Sequence, residues 1–300
     1  MTLFFSLFIS LSVRAQSDQV ITLADQRQIV VKTSLSPSSS KPTFLFLPGI
    51  YRGFYAQEPF LKQLTARKIN WVSIHLSRHP ESILAGTPVF RSLITSEQLA
   101  GEVAQVRRSL KIQKPIVVSL SYTSSLIPHL NPEEFPWVIE TAPMGRADEN
   151  LPPYQDFRGW ESWMGFFPGG QMWVASAEYW SYRQFWLRRT EELVKTHPRY
   201  GPQRVAIAEG FTQLAFSSRK FDLRAQDFRK GPTRFWILGE KEDAKRFGIQ
   251  KEALQLYQSQ RSGEAASVYI VPGAGHIIPV EKPREYVQLL SQILKSVASQ

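Results

Sequence analysis

The sequence predicts an α/β protein: a mostly parallel central sheet flanked by helices, with an aromatic-rich helical insertion. Two observations carry that expectation. Short β-branched or aromatic runs alternate with helical segments from about Lys41 to the C-terminus, as in a sheet with helices on both faces. The alternation stops once, between Ala142 and about Phe221, in a stretch rich in Trp, Tyr and Phe. A chain of 300 residues with 43% hydrophobic content is long enough to bury one large core.

The elements follow in order. Leu3 to Val13 is apolar, and Arg14-Ala15-Gln16-Ser17 then turns polar. That run is too short for a bilayer span of about 20 residues. It fits the apolar region of a signal peptide, with Val13-Arg14-Ala15 offering small residues around a cleavage site. The expectation is therefore a signal peptide over 1–15 and a periplasmic or secreted protein. Gln19 to Leu23 and Gln28 to Thr33 read as a hairpin around Ala24-Asp25-Gln26-Arg27. Ile69 to Ile74 reads as a strand. Thr95-Ser96-Glu97-Gln98 has the pattern of a capping box, and Leu99, Val103, Val106 and Leu110 line one face of the helix it starts. Pro115 to Leu120 is β-branched and apolar, which predicts a fully buried parallel strand. Trp137-Val138-Ile139 and Arg234 to Leu238 read as further strands, and Ser267 to Val271 as a buried one. Tyr286, Leu289, Leu290, Ile293 and Leu294 give the last helix its apolar stripe.

Three loops carry the chemistry. Val271-Pro272-Gly273-Ala274-Gly275-His276 places a histidine on a glycine-rich loop after a strand, where it is able to meet residues distant in sequence and act as a general base. Ser121 sits in Ser119-Leu120-Ser121-Tyr122-Thr123, between a strand and a short helical segment through Leu130. Such a turn lifts the serine oxygen above the sheet. Ser119 and Thr123 stand where that motif has glycines, and Pro128 shortens the helix. After the strand Arg234 to Leu238 come Glu240, Glu242 and Asp243. A carboxylate there accepts a histidine ring N–H and fixes its tautomer. Asp243 is the first choice, Glu242 the alternative, and Glu140 the fallback.

The order Ser121, acid, His276 resembles that of the α/β-hydrolase superfamily, and the resemblance covers about Lys41 to the C-terminus. Its most specific motif is the Gly-x-Gly-His of residues 273–276 with Glu281-Lys282-Pro283 downstream. Thr43 to Ile50 is similar to the family's strand and oxyanion loop, with Pro48 where histidine is usual. The resemblance implies the α/β-hydrolase fold, over 16–141 and 222–300. It implies an oxyanion hole made by the amides of Ile50 and Tyr122. It also implies that 142–221 is a cap over the site. A cap holding Trp160, Trp163, Phe166, Phe167, Trp173, Trp180 and Trp186 would shape a pocket for an apolar or aromatic group.

These readings predict a serine esterase, acting on a carboxylic ester or thioester of a small molecule through an acyl-enzyme. A serine at the turn argues against haloalkane dehalogenation, which needs a carboxylate nucleophile. Acyl transfer or amide cleavage on the same triad is the alternative, and a non-catalytic binding protein on a degenerate scaffold is the other. No cofactor or metal is expected: His75, His79, His129 and His197 lack ligand spacing. They read as structural or surface residues, with His75 and His79, after the strand holding Trp71, also candidates for the pocket rim. The net charge of +10 favours peripheral contact with anionic surfaces. No basic run interleaved with aromatics points to nucleic acid. The chain has no cysteine, so disulfides are excluded.

Overall fold

In the computed structural model, β1 (Ser17–Thr22) and β2 (Gln28–Thr33) form the expected hairpin at one edge of an eight-stranded sheet. The structure describes residues 17–34, 41–50, 54–89, 93–146, 163–164, 166–261 and 267–299. The signal-peptide segment 1–15 and Trp160 lie outside them. β2 pairs antiparallel with β4 (Asn70–His75), and every later pairing is parallel. The order is β1-β2-β4-β3-β5-β6-β7-β8. β3 is Thr43–Leu47, β5 Pro115–Leu120, β6 Trp137–Thr141, β7 Thr233–Gly239 and β8 Ser267–Val271.

Alternation along each strand splits the core in two. Leu45, Leu47, Val72, Ile74, Val117 and Val138 face one side. There they meet α3 (Ser96–Ser109), through Leu99, Val103 and Val106. Phe44, Phe46, Trp71, Ile116, Val118 and Ile139 face the other side. There they meet α1 (Phe54–Ala66) and the C-terminal helix α7 (Pro283–Ala298), through Phe60, Leu61, Tyr286, Leu290 and Ile293. α3 opens on the anticipated capping box: Thr95 Oγ1 accepts from Gln98 N–H, and Gln98 Oε1 accepts from Thr95 N–H.

One expectation needs correction. β8 is the edge strand, so of its residues only Val271 is buried, and Ile270 is 54% exposed. An apolar run at an edge loses one neighbouring strand and the cover that comes with it. The short helical segment expected after Ser121 is present, as a 3-10 helix over Ser121–His129. Pro128 has no N–H to continue a longer helix.

The insertion holds α4 (Gly170–Thr196) and α5 (Arg204–Ser217), which pack on each other. Between β4 and α3 lies the short helix α2 (Pro80–Leu84), and α5 packs on it. Gly210 of α5 makes that approach possible: a Cβ there would stand 2.5 Å from the Arg78 carbonyl oxygen.

Candidate active site

The strand order reverses at β3, which pairs in parallel with β4 on one side and β5 on the other. Loops at the carboxyl ends of strands beside such a switch point form the natural crevice of an open α/β sheet. Ile50 follows β3 there, and Ser121 follows β5.

Ser121 has φ +57°, in the left-handed region that side chains rarely adopt. Such strain persists only where the surroundings over-determine it. Here they do. Thr123 Oγ1 accepts from the Leu120 N–H at 2.8 Å and lies within 3.2 Å of the Leu47 carbonyl oxygen, tying the ends of β5 and β3. Ser124 Oγ donates to the Ser121 carbonyl, which the Met144 N–H also meets at 3.0 Å. The threonine that replaces a glycine therefore fastens the turn through its own hydroxyl.

Ser121 Oγ lies 2.8 Å from His276 Nε2, and His276 Nδ1 lies 2.7 Å from Glu242 Oε2. Burial raises the Glu242 carboxyl, but the His276 ring and then Arg246 outweigh it and hold it below the ordinary 4.5. Ionised Glu242 accepts from Nδ1–H, which leaves Nε2 as acceptor for the Ser121 hydroxyl. Glu242 is itself held: Oε1 accepts from Arg246 Nη1 at 2.7 Å and from the Asp243 N–H at 3.1 Å.

Asp243, the first-choice acid, is elsewhere. It is the N-cap of α6 (Ala244–Gln260) and accepts from the N–H groups of Lys245 and Arg246. The free first-turn amides of a helix attract such a carboxylate. Glu140, the fallback, is fully buried on β6. It pairs with Arg234 Nη1 at 2.8 Å and accepts from Ser119 Oγ at 2.7 Å.

The loops carrying Glu242 and His276 are fastened to each other. Lys241 N–H donates to the Ala274 carbonyl at 2.7 Å, and Gly273 N–H to Glu240 Oε2 at 2.7 Å. Gly239 must be glycine for this contact, because a Cβ would stand 2.2 Å from the Gly275 carbonyl oxygen. Glu281 accepts from the N–H groups on both sides of the histidine, Gly275 at 2.6 Å and Ile277 at 3.0 Å. The downstream Glu-x-Pro motif thus clamps the His276 peptide, a role that its spacing alone did not disclose.

His75 and His79 are not at a rim. Both are fully buried, and His79 Nε2 lies 3.2 Å from the Tyr122 hydroxyl. The insertion's aromatics divide. Tyr182 and Trp186 are buried in the core, whereas Trp163, Phe166, Phe167, Trp173 and Trp180 are exposed. On α4 the buried positions Val174, Glu178, Tyr182, Trp186 and Thr190 recur every four residues, which leaves Trp173 and Trp180 on the outer face.

The fold and this hydrogen-bonded chain define a class, and comparison with known proteins agrees. A family model described as the alpha/beta hydrolase family matches residues 44–289. The chain belongs to the α/β hydrolase family, whose members act on small molecules. No curated protein matches the chain by sequence. Many solved structures do match it in fold. One is a bacterial membrane phospholipase A, 17% identical, with a TM-score of 0.62 over 96% of this chain and 88% of that one. A carboxylesterase of the thaumarchaeon Nitrososphaera gargenis is 15% identical, with a TM-score of 0.62 over 94% and 99%. The enol-lactonase of Burkholderia xenovorans is 15% identical, with a TM-score of 0.62 over 92% and 100%. At these identities the likeness is one of fold.

Proposed function

We propose that this hydrolase is a serine esterase, cleaving a carboxylic ester or thioester through an acyl-enzyme on Ser121. The observation that carries the reading is the chain Ser121–His276–Glu242, with links of 2.8 and 2.7 Å. His276 takes the Ser121 proton as the oxygen attacks the acyl carbon. Glu242 holds the ring and stabilises the imidazolium. The amides of Ile50 and Tyr122 receive the oxyanion, and loss of one such donor costs about 3 kcal/mol in comparable sites. His276 then protonates the leaving group and activates the water that releases the acid. Esterase and lactonase activity among the structural neighbours supports this bond type.

A small apolar cleft, lined by Leu47, Leu120, Ile277, Pro279 and Val280, flanks the neighbours of Ser121 and His276. It supports an apolar acyl or alkoxy group on the substrate. Among the described residues, the insertion, read as a cap, packs on α2 through α5, and Trp163, Trp173 and Trp180 do not line that cleft. The apolar N-terminal run supports export to the periplasm or beyond, and the charge of +10 supports peripheral contact with anionic surfaces there.

The test is labelling with a fluorophosphonate, followed by mass mapping. Label on Ser121, together with loss of nearly all ester turnover in a folded Ser121→Ala variant, is the expected result. An unlabelled, folded protein, or a Ser121→Ala variant as active as the parent, overturns it in favour of a binding role.

A further inference from the structure

Tyr122 follows Ser121 directly, yet its side chain turns away from the solvent. It is 3% exposed, packed in the core beside Leu126 and Ile127. Its hydroxyl reaches His79 Nε2 at 3.2 Å, and the two rings meet edge to face, with centroids 6.2 Å apart at 86°. His79 Nδ1 has no hydrogen-bond partner among the described residues, so the tyrosine hydroxyl is the one polar group that holds this ring.

His79 is a rigid anchor. It caps α2 just before Pro80, with φ −78° and ψ 152°. A following proline confines a residue to that extended region. The His79 N–H donates to the Leu76 carbonyl at 2.8 Å, and its own carbonyl accepts from the Ile83 N–H at 3.1 Å. The ring lies 6.2 Å from that of His75, at the end of β4. Burial, with help from His75, lowers its pKa to about 3, and burial raises Tyr122 well above 10. The contact is therefore a neutral hydrogen bond throughout the working pH range.

The turn around Ser121 is thus held from two directions. Thr123 ties it to β3 and β5, and Tyr122 ties it to the β4–α2 junction. The second tether acts on the residue whose N–H belongs to the peptide plane between Ser121 and Tyr122. The N–H of that plane must point at the developing oxyanion, where small misplacements are costly.

We propose that His79 is a positioning residue, which through the Tyr122 hydroxyl orients the Tyr122 N–H for the oxyanion. The inference rests on the serine-esterase reading above. Two substitutions, Tyr122→Phe and His79→Leu, each break this one bond without touching Ser121, His276 or Glu242.

The experiment measures kcat and KM on a p-nitrophenyl ester, and inhibition by phenylboronic acid, which forms a tetrahedral adduct with an activated serine. The variants are Tyr122→Phe, His79→Leu, His79→Gln and the double variant Tyr122→Phe/His79→Leu. Tyr122→Phe and His79→Leu should each lower kcat about tenfold, with KM changed less than about twofold, the signature of an interaction made in the transition state. Boronic acid affinity should fall by a similar factor. His79→Gln, whose amide reaches the place of Nε2, should restore most of kcat. The double variant should be no worse than either single one. A folded Tyr122→Phe with kcat within about twofold of the parent overturns the proposal, as does a loss confined to KM or to melting temperature. Tyr122→Phe carries the test if His79→Leu does not fold. Full turnover by Ser121→Ala sinks the esterase reading itself. A required Ser121 with an indifferent Tyr122 sinks only the role of His79.

Discussion

Glu242 faces the His276 ring and Asp243 faces the first amides of α6 because the chain turns at the strand-to-helix junction and aims successive side chains differently. The two carboxylates should separate cleanly in experiment. Glu242→Gln is expected to lower kcat by roughly 10³–10⁴-fold, since an amide in that place favours the wrong histidine tautomer. Asp243→Ala should leave kcat within about twofold and cost about 1 kcal/mol of stability, the usual value of an N-cap. Steady-state kinetics and denaturant titrations of both variants check this, and the reverse pattern would return the acid to Asp243. The sign of the pH effect also follows. The folded Glu242 carboxyl is held below its ordinary 4.5. Its stabilising contribution is therefore present above that value and lost as pH falls through the depressed one. Urea titrations of the parent and of Glu242→Gln should converge in stability as pH drops below about 4.5.

Helix α4 shows how an element sorts residues that composition treats alike. Trp186 sits in the row of positions spaced by four that meets Phe211 at 5.2 Å between ring centroids, and it is 6% exposed. Trp173 and Trp180 are 75% and 61% exposed on the outer side of the same helix. Trp186→Ala is expected to cost about 3–5 kcal/mol, the price of a large core cavity. Trp173→Ala and Trp180→Ala should each stay within about 0.5 kcal/mol. Chemical denaturation of the three variants is the measurement. A large loss at Trp173 or Trp180 would mean that the outer face is covered in solution.

Across the whole molecule, a buried ion pair ties two neighbouring parallel strands of the sheet. Glu140 on β6 and Arg234 on β7 are 2.8 Å apart and buried; Ser119 Oγ of β5 also donates to Glu140, and Arg234 Nη2 donates to Gln226 Oε1. Burial raises the Glu140 carboxyl and lowers the Arg234 guanidinium. Removing one partner leaves the other charge uncompensated. Glu140→Gln should therefore destabilise the protein by roughly 3–5 kcal/mol. The kcat of the molecules that remain folded should stay near that of the parent. A variant of parental stability and lost activity would instead give Glu140 a part in the chemistry.

The strand and helix positions could be read from residue order, because hydrophobic periodicity and capping are local. Thr95 and Gln98 cap α3 as their spacing demands, and β5 and β7 fall within a residue of their apolar runs. The chain order of Ser121, an acidic loop and His276 was equally visible, since it needs only the strands before each loop. Everything that depends on direction in space was not. Which of two adjacent carboxylates meets the histidine depends on where α6 starts. Whether Ser267 to Val271 is covered depends on its place at the sheet edge. Whether Thr123 spoils or fastens the serine turn depends on the Leu47 carbonyl, 76 residues away in sequence. The same holds for His79, which the sequence suggests as a structural or rim residue and packing brings 3.2 Å from the hydroxyl of the tyrosine beside Ser121.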